Sequence, residues 1–219
     1  MQTKLSNRDI VQADALAVAI KNKRCGLGIS MGVGKTRIAI QHLQKHYNPL
    51  IEALVVIPKH SVAQSWIDEL GKMNLENLVN HITFTTYLSL KKHNHNNYDI
   101  VYLDECHSLK YSHELFLGPY VGKILGLTGT PPKHKNSEKG ELVQKYCPIK
   151  YVFNVDDATD SNILNDYQII IHELELSKLH TLKKKTKAGG HWYTTEKKDY
   201  DYVNGRIADA QTQKQIQFA

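Results

Sequence analysis

A glycine-rich run between a short apolar stretch and a helical pattern constrains this chain more than any other feature. The run reads Gly28-Ile29-Ser30-Met31-Gly32-Val33-Gly34-Lys35-Thr36. Glycines let backbone N–H groups turn inward around phosphate oxygens, and the N-terminus of the following helix adds a partial positive charge. Ile29 breaks the strict pattern G-x-x-x-x-G-K-[ST] at its first position, but the two glycines nearest the phosphates are present. The run therefore predicts a phosphate loop rather than a chance glycine-rich turn.

The residues of this loop have separate expected roles. Lys35 would reach the β- and γ-phosphates of a nucleoside triphosphate, and the Thr36 hydroxyl would help to hold Mg²⁺. The predicted nucleotide-binding residues of the loop are Ser30, Met31, Gly32, Val33, Gly34, Lys35 and Thr36.

Two adjacent carboxylates follow an apolar run further along the chain. The run at 100–103 predicts a buried strand, and Asp104 and Glu105 come directly after it. Ligand sites of parallel sheets lie at the carboxyl ends of strands, where this pair would stand. There Asp104 can face a Mg²⁺ ion held by Thr36, and Glu105 can orient and deprotonate an attacking water. Position at a strand end favours this interpretation over a pair of acids in a solvated turn.

Short β-rich runs alternate with helical patterns, which favours an α/β fold with a mostly parallel sheet. At 219 residues the chain has room for one such domain and an appendage. Ser61 is a plausible N-cap of one helix, and Trp66 lies on that helix's apolar stripe, which favours a core role over a base platform. The predicted strands are Ala53–Ile57, His81–Thr85, Ile100–Leu103, Ile124–Thr128, Tyr151–Val155 and Tyr167–Ile171.

The net charge of +6 is concentrated near the C-terminal end. The stretch 178–198 holds seven lysines and one glutamate, and basic and acidic residues balance in the rest of the chain. A basic stretch that includes Trp192 and Tyr193 suggests phosphate contacts and base stacking, while a solvated linker explains the same composition. The sequence leaves both interpretations open.

Several features favour a cytoplasmic protein without a membrane partner. No apolar run approaches the ~18 residues of a membrane span, and the N-terminus lacks the features of a secretory signal. Cys25, Cys106 and Cys147 are odd in number and form no C-x-x-C pair, which favours reduced thiols over a disulfide framework or a zinc site.

The acidic pair opens the block Asp104-Glu105-Cys106-His107, which resembles motif II of the superfamily 2 DExH helicases, and residues 31–36 resemble their motif I. Three more blocks follow in the family's order: 56–66 resembles motif Ia, Thr85-Thr86-Tyr87 resembles motif Ib, and 127–132 resembles motif III. The resemblance covers about residues 5 to 170. It implies a RecA-like P-loop domain with helices on both faces of the sheet, closest to phage or restriction-type DNA motors.

This resemblance implies roles that the residues' own chemistry does not assign. Gln12 would match the glutamine that reads adenine, and His107 would join the catalytic set of Lys35, Asp104 and Glu105. Residues coupling the γ-phosphate to nucleic acid would be Thr128, Gly129 and Thr130. Residues along the phosphodiester track would be Lys59, Ser61, Thr85 and Thr86. Helix capping by Ser61 and the β propensity of threonine explain three of these residues equally well.

The resemblance also implies a partner for the domain. Superfamily 2 motors place ATP between two RecA-like lobes, and the second lobe supplies arginine fingers in a motif similar to Q-x-x-R-x-G-R. The four arginines of this chain, Arg8, Arg24, Arg37 and Arg206, stand in no such context. We therefore expect residues 1–176 to form the ATP-binding lobe and residues 177–219 to form a basic linker and the start of a missing second lobe.

The expected function is that of the N-terminal lobe of an ATP-dependent helicase or translocase that uses Mg²⁺ and acts on DNA or RNA, with DNA favoured. A weak ATPase is expected of this chain alone. The alternative is a stand-alone ATP-binding switch or inhibitor without motor activity, which stimulation of the ATPase by nucleic acid would exclude. A small-molecule P-loop kinase is disfavoured, because motif III and the block from Pro58 to Trp66 would have no role in it.

Overall fold

The chain divides into two compact units, Met1–Asp166 and Tyr167–Ala219. In this computed structural model the structure describes residues 5–165 and the strands at 181–185 and 191–195. The strand predicted at 167–171 lies outside the described residues. Within the described ranges, no helix is long and apolar enough to cross a membrane.

The first unit is built on six parallel strands. They are β1 (Arg24–Ile29), β2 (Ala53–Ile57), β3 (Ile82–Thr86), β4 (Ile100–Asp104), β5 (Lys123–Thr128) and β6 (Ile149–Phe153). Their order across the sheet is β3-β2-β4-β5-β1-β6, and every neighbouring pair is parallel. Strands β2 and β4 are buried along their whole lengths, as expected of a sheet that is covered on both faces.

Helices and short turns pack on both faces of this sheet. The helices are α1 (Asn7–Lys21), α2 (Lys35–His46), α3 (Ser61–Lys72), α4 (Glu114–Leu117), α5 (Glu138–Tyr146) and α6 (Val155–Asp160). The 3₁₀ segments are Glu76–His81, Tyr87–Lys92, His95–Asn97, Cys106–Ser108 and Tyr111–His113. Side chains alternate along β2, so that Val55 and Ile57 join a core with α1, α2 and α3, while Leu54 and Val56 join a second core on the opposite face. The predicted RecA-like α/β class is confirmed.

The sequence located β2 to β5 to within one residue at each end, but it placed β6 two residues too late. The reason is a helix cap at Asn154. Its side chain accepts a hydrogen bond from the Asp157 N–H, and the Asp157 carboxylate accepts one from the Asn154 N–H. This capping box starts α6 and ends the extended backbone before Val155.

The N-cap assigned to Ser61 is wrong. Helix α3 begins at Ser61 itself, and the preceding His60 has helical φ and ψ of −55° and −31° with no side-chain cap bond. The Val62 N–H instead donates to the Lys59 carbonyl, and the Ala63 N–H donates to the His60 carbonyl. A backbone turn therefore starts this helix, and Ser61 is exposed to solvent.

The described part of the second unit is a pair of antiparallel strands, β7 (Thr181–Lys185) and β8 (His191–Thr195). Lys183 stands opposite Tyr193, and Lys184 stands opposite Trp192. The stretch predicted as a basic linker thus contains a strand pairing that its charge did not indicate.

Candidate nucleotide-binding site

The predicted phosphate loop connects the end of β1 to the start of α2. Gly32 and Gly34 have φ angles of +83° and +109°, in the left-handed region that favours glycine. A Cβ atom on Gly34 would also collide with the side-chain amide of Gln12. Since α2 begins at Lys35, the free N–H groups of its first turn stand at the loop. This is the backbone arrangement that binds phosphate.

Lys35 lies inside the site and touches the loop backbone. Its Nζ donates a hydrogen bond of 3.1 Å to the Ile29 carbonyl. Burial lowers the pKa of Lys35, while the neighbouring carboxylates Glu105 and Asp104 oppose that shift. Gly129 stands beside this amine, because a Cβ there would lie 3.4 Å from Nζ. The turn at Gly129 therefore stands next to Lys35, the residue predicted to bind phosphate.

The acidic pair stands where β4 ends. Asp104 is the last residue of the strand and is buried. Burial raises the pKa of its carboxyl group, and a hydrogen bond from the Trp66 ring N–H opposes this shift. Glu105 has φ of 53° and ψ of 55°, a left-handed conformation that is rare for a residue with a side chain. Backbone conformations of this kind concentrate at functional sites.

His107 lies between Glu105 and the turn after β5. Its Nδ1 lies 2.8 Å from Thr128 Oγ1 and 3.3 Å from Thr130 Oγ1. The same nitrogen lies 3.3 Å from Glu105 Oε2. The Thr130 N–H also donates to Thr128 Oγ1 at 3.1 Å. The structure thus brings together four residues that were predicted from two separate blocks.

Gln12 is buried beneath the phosphate loop. Its Nε2 donates a hydrogen bond of 2.7 Å to the Val33 carbonyl. Gln12 lies on α1, which packs against α2 and so reaches the loop. The observed contact supports the loop backbone, and adenine recognition by Gln12 stays a prediction.

A cleft of about 710 Å³ is lined by most of the predicted nucleotide-binding residues, but not by Ser30, His107, Thr128, Gly129 or Thr130. The lining residues that were not predicted lie on α1, α2 and α3, and they are Arg8, Asp9, Arg37, Ser65, Asp68, Glu69 and Lys72. Arg37 Nη1 lies 3.4 Å from Glu69 Oε1, so an ion pair joins α2 to α3 in the wall of the cleft. Arg37 could have been found from its position next to Thr36. Asp68 and Glu69 could not, because acidic residues on the exposed side of a helix are common. The predicted residues that line the cleft are Gln12, Met31, Gly32, Val33, Gly34, Lys35, Thr36, Asp104 and Glu105.

The groups present fit a nucleoside triphosphate with a divalent cation. One wall offers main-chain N–H donors and Lys35 for phosphate oxygens, and Thr36 and Asp104 offer oxygen ligands of the kind that Mg²⁺ prefers. Within the described residues, the buried Ser30 Oγ has no hydrogen-bond partner. An unpaired hydroxyl at the base of the loop is compatible with a polar ligand nearby.

The predicted nucleic-acid residues separate into two groups. Lys59 and Ser61 are exposed, whereas Thr85 is 2% exposed and Thr86 is 8% exposed. Thr85 Oγ1 lies 2.9 Å from His93 Nε2. All four residues stand near the carboxyl ends of β2 and β3, outside the cleft lining. Burial leaves the threonine side chains little surface for a strand to contact.

Several solved structures share this fold. One is a nuclease-deletion mutant of the Type ISP restriction-modification enzyme LlaGI in complex with a DNA substrate mimic, which is 17% identical, covers 74% of this chain and 21% of that chain, and has a TM-score of 0.53. The UvsW helicase from bacteriophage T4 is 14% identical, with 69% and 64% coverage and a TM-score of 0.56. The Pyrococcus furiosus Hef helicase domain is 15% identical, with 68% and 40% coverage and a TM-score of 0.52.

The chain thus spans 21% to 64% of the length of these three structures. No curated protein sequence matches it. Residues 2–133, more than half of the 219, match the family described as the Type III restriction enzyme, res subunit. The chain belongs to this family, and its first unit is a RecA-like lobe, the fold that these solved structures share.

Proposed function

We propose that this lobe binds ATP with Mg²⁺ and hydrolyses it to drive a helicase or translocase along nucleic acid. One observation carries the proposal: Lys35, Thr36, Asp104 and Glu105, from two distant segments, line a single cleft. DNA is the proposed track, because one structure of the same fold was solved with a DNA substrate mimic. The proposed location is the cytoplasm, or the host cytoplasm if a phage encodes the chain.

The residues of the cleft would have separate roles in ATP binding and hydrolysis. The loop N–H groups and Lys35 would hold the β- and γ-phosphates, and Thr36 with Asp104 would hold the ion. The bound ion supplies positive charge that neutralises the phosphate oxygens. Glu105 would orient the attacking water and accept its proton.

Coupling to the nucleic acid would start at His107. Its Nδ1 is within 3.3 Å of Glu105, Thr128 and Thr130, so a shift of Glu105 on hydrolysis changes the contacts of the turn after β5. Gly129 in that turn stands beside Lys35 and would sense the phosphates from the other side. A second RecA-like lobe, in the same polypeptide or a separate chain, would close over this surface.

The test has two stages. A fluorescent ATP analogue is titrated against the chain with Mg²⁺ and with EDTA, and ATPase rates are then measured with single-stranded DNA, with RNA and with neither. Mg²⁺-dependent binding together with stimulation by DNA supports the proposal. Binding without stimulation by either nucleic acid favours an ATP-binding switch without motor activity, and an absence of binding overturns nucleotide recognition itself.

A further inference from the structure

Trp66 makes a contact that its place in the core does not require. The side chain lies on α3, is 1% exposed, and packs with its ring centroid 5.9 Å from that of Tyr102 and 6.4 Å from that of Phe84. Its ring Nε1 donates a hydrogen bond of 3.2 Å to Asp104 Oδ2. A buried tryptophan usually finds a partner for its N–H, and here the partner is a carboxylate of the nucleotide cleft.

This hydrogen bond limits how the Asp104 carboxylate can turn. The last torsion of an aspartate has broad preferred ranges, so a neighbour that holds one oxygen narrows its orientation, and the packed indole ring is such a fixed donor. Tyr87 holds the same residue by its backbone, because its hydroxyl donates to the Asp104 carbonyl at 2.9 Å. One core side chain therefore holds the Asp104 side chain, and another holds its main chain.

We infer that Trp66 is a positioning residue for the cation site at Asp104: its ring N–H fixes one carboxylate oxygen and thereby orients the other toward the metal. The inference rests on the proposed function, since it assumes that Asp104 binds the ion. The role belongs to the N–H and not to the bulk of the ring. Trp66 would touch neither nucleotide nor metal and would act through Asp104 alone.

The experiment compares Trp66→Phe with Tyr102→Phe. The first change removes the N–H and keeps an aromatic ring in the core. The second removes another buried donor from the same cluster, a hydroxyl 2.9 Å from His42 Nδ1, without a contact to the Asp104 carboxylate. Binding of a fluorescent ATP analogue is measured over a series of free Mg²⁺ concentrations, and circular dichroism verifies the fold. No catalytic turnover is needed for this readout.

Trp66→Phe is expected to raise the Mg²⁺ concentration at half-maximal binding by about 10- to 100-fold, as for other residues that support a metal ligand. Binding in EDTA should be unchanged, and Tyr102→Phe should match the wild type. In an Asp104→Asn background, Trp66→Phe should have no additional effect on the midpoint. A wild-type midpoint in Trp66→Phe, or an equal shift in both variants, overturns the inference. If the wild type binds no nucleotide at any Mg²⁺ concentration, the proposed function itself fails.

A second measurement keeps the native residue in place in case Trp66→Phe does not fold. The chain has two tryptophans, so Trp192→Phe leaves Trp66 as the only indole emitter. Adding Mg²⁺ to the nucleotide-saturated protein should change the Trp66 emission, because its hydrogen-bond acceptor would then share its charge with the ion. Emission that stays constant while Mg²⁺ strengthens nucleotide binding overturns the inference.

Discussion

The candidate nucleotide cleft and the predicted nucleic-acid track lie at the same edge of the sheet, but their polar groups have different surroundings. In the cleft, Lys35 and Glu105 line an open space of about 710 Å³. Along the track, Thr85 is buried and its hydroxyl pairs with His93, while Lys59 is exposed. The cleft residues thus border open space although Lys35 and Glu105 also have partners in the protein, whereas the Thr85 hydroxyl is enclosed with its partner.

The cleft residues and the track residues were predicted from different kinds of sequence signal. A phosphate loop is specified by local requirements, namely two left-handed glycines, a helix N-terminus and a lysine, and all of these occur within residues 32–35. The track was assigned by the resemblance of whole blocks, which predicts where a segment lies. Such a resemblance does not say which side chains of the segment face solvent.

The largest expected effect concerns the open side of the cleft. Both arginines that line the cleft already have partners within the protein. Arg37 is paired with Glu69, and Arg8 donates to the Ile163 carbonyl at 3.0 Å. An arginine finger typically accelerates hydrolysis by about 10³ to 10⁵. We therefore expect the 219-residue polypeptide on its own to bind ATP, to hydrolyse it slowly and to unwind no duplex. Steady-state ATPase and strand-displacement assays on a verified monomer measure this.

Turnover on the order of tens per second, the range of a typical complete enzyme, would contradict that expectation. It would mean that the cleft is complete without a second lobe. Replacement of Arg37 by alanine would then show whether Arg37 completes it. Loss of the rate in the Arg37→Ala protein would place the finger in the wall of the cleft, where the structure has its ion pair with Glu69.

Glu105→Gln tests the assignment of the general base. Glutamine keeps the shape of the side chain but cannot accept the proton, and loss of general-base catalysis costs about 10² to 10⁴ in rate. Nucleotide affinity should be unchanged, because the residue's proposed contact is with water and not with phosphate. Single-turnover hydrolysis and equilibrium binding separate the two effects. The matched control is Glu52→Gln at an exposed position, and unchanged hydrolysis in the Glu105 variant would reassign the base.

Features that depend on neighbouring residues could be predicted from the sequence, whereas contacts between distant residues could not. The strands β2, β4 and β5 and the phosphate loop were predictable, because apolar runs and glycine conformations act within a few residues. The hydrogen bond from Trp66 to Asp104 was not, because it joins residues 38 positions apart through the packing of α3 on the sheet. Apolar periodicity correctly placed Trp66 in the core, but it carries no information about where the ring N–H points.

The third prediction compares the replacement of one lysine in the cleft with the replacement of one lysine on the track. Lys35→Ala removes a charged donor from the phosphates, and hydrogen bonds to charged groups contribute about 1.5 to 3 kcal/mol, so nucleotide affinity should fall roughly 10- to 100-fold. Lys59→Ala should leave that affinity unchanged and weaken only the binding of single-stranded DNA. Titrations of both variants with a fluorescent ATP analogue and with a labelled oligonucleotide measure this. A loss of nucleotide affinity in Lys59→Ala would contradict the separation of the two regions.

The smallest expected effect decides whether the buried part of the track touches nucleic acid at all. Thr85→Val keeps the shape of the side chain and removes the hydroxyl that lies 2.9 Å from His93 Nε2. Because that hydroxyl is already paired inside the protein, its loss should cost about 0.5 to 1.5 kcal/mol of unfolding free energy and leave DNA affinity unchanged. Lys59→Gln, by contrast, should lower the salt slope of single-strand binding by about 0.7 if Lys59 neutralises one phosphate. Urea unfolding and oligonucleotide titrations at several salt concentrations measure both quantities. If Thr85→Val weakens DNA binding as much as Lys59→Gln does, without loss of stability, the hydroxyl must leave His93 when the strand binds, and β3 must open at its carboxyl end to expose it.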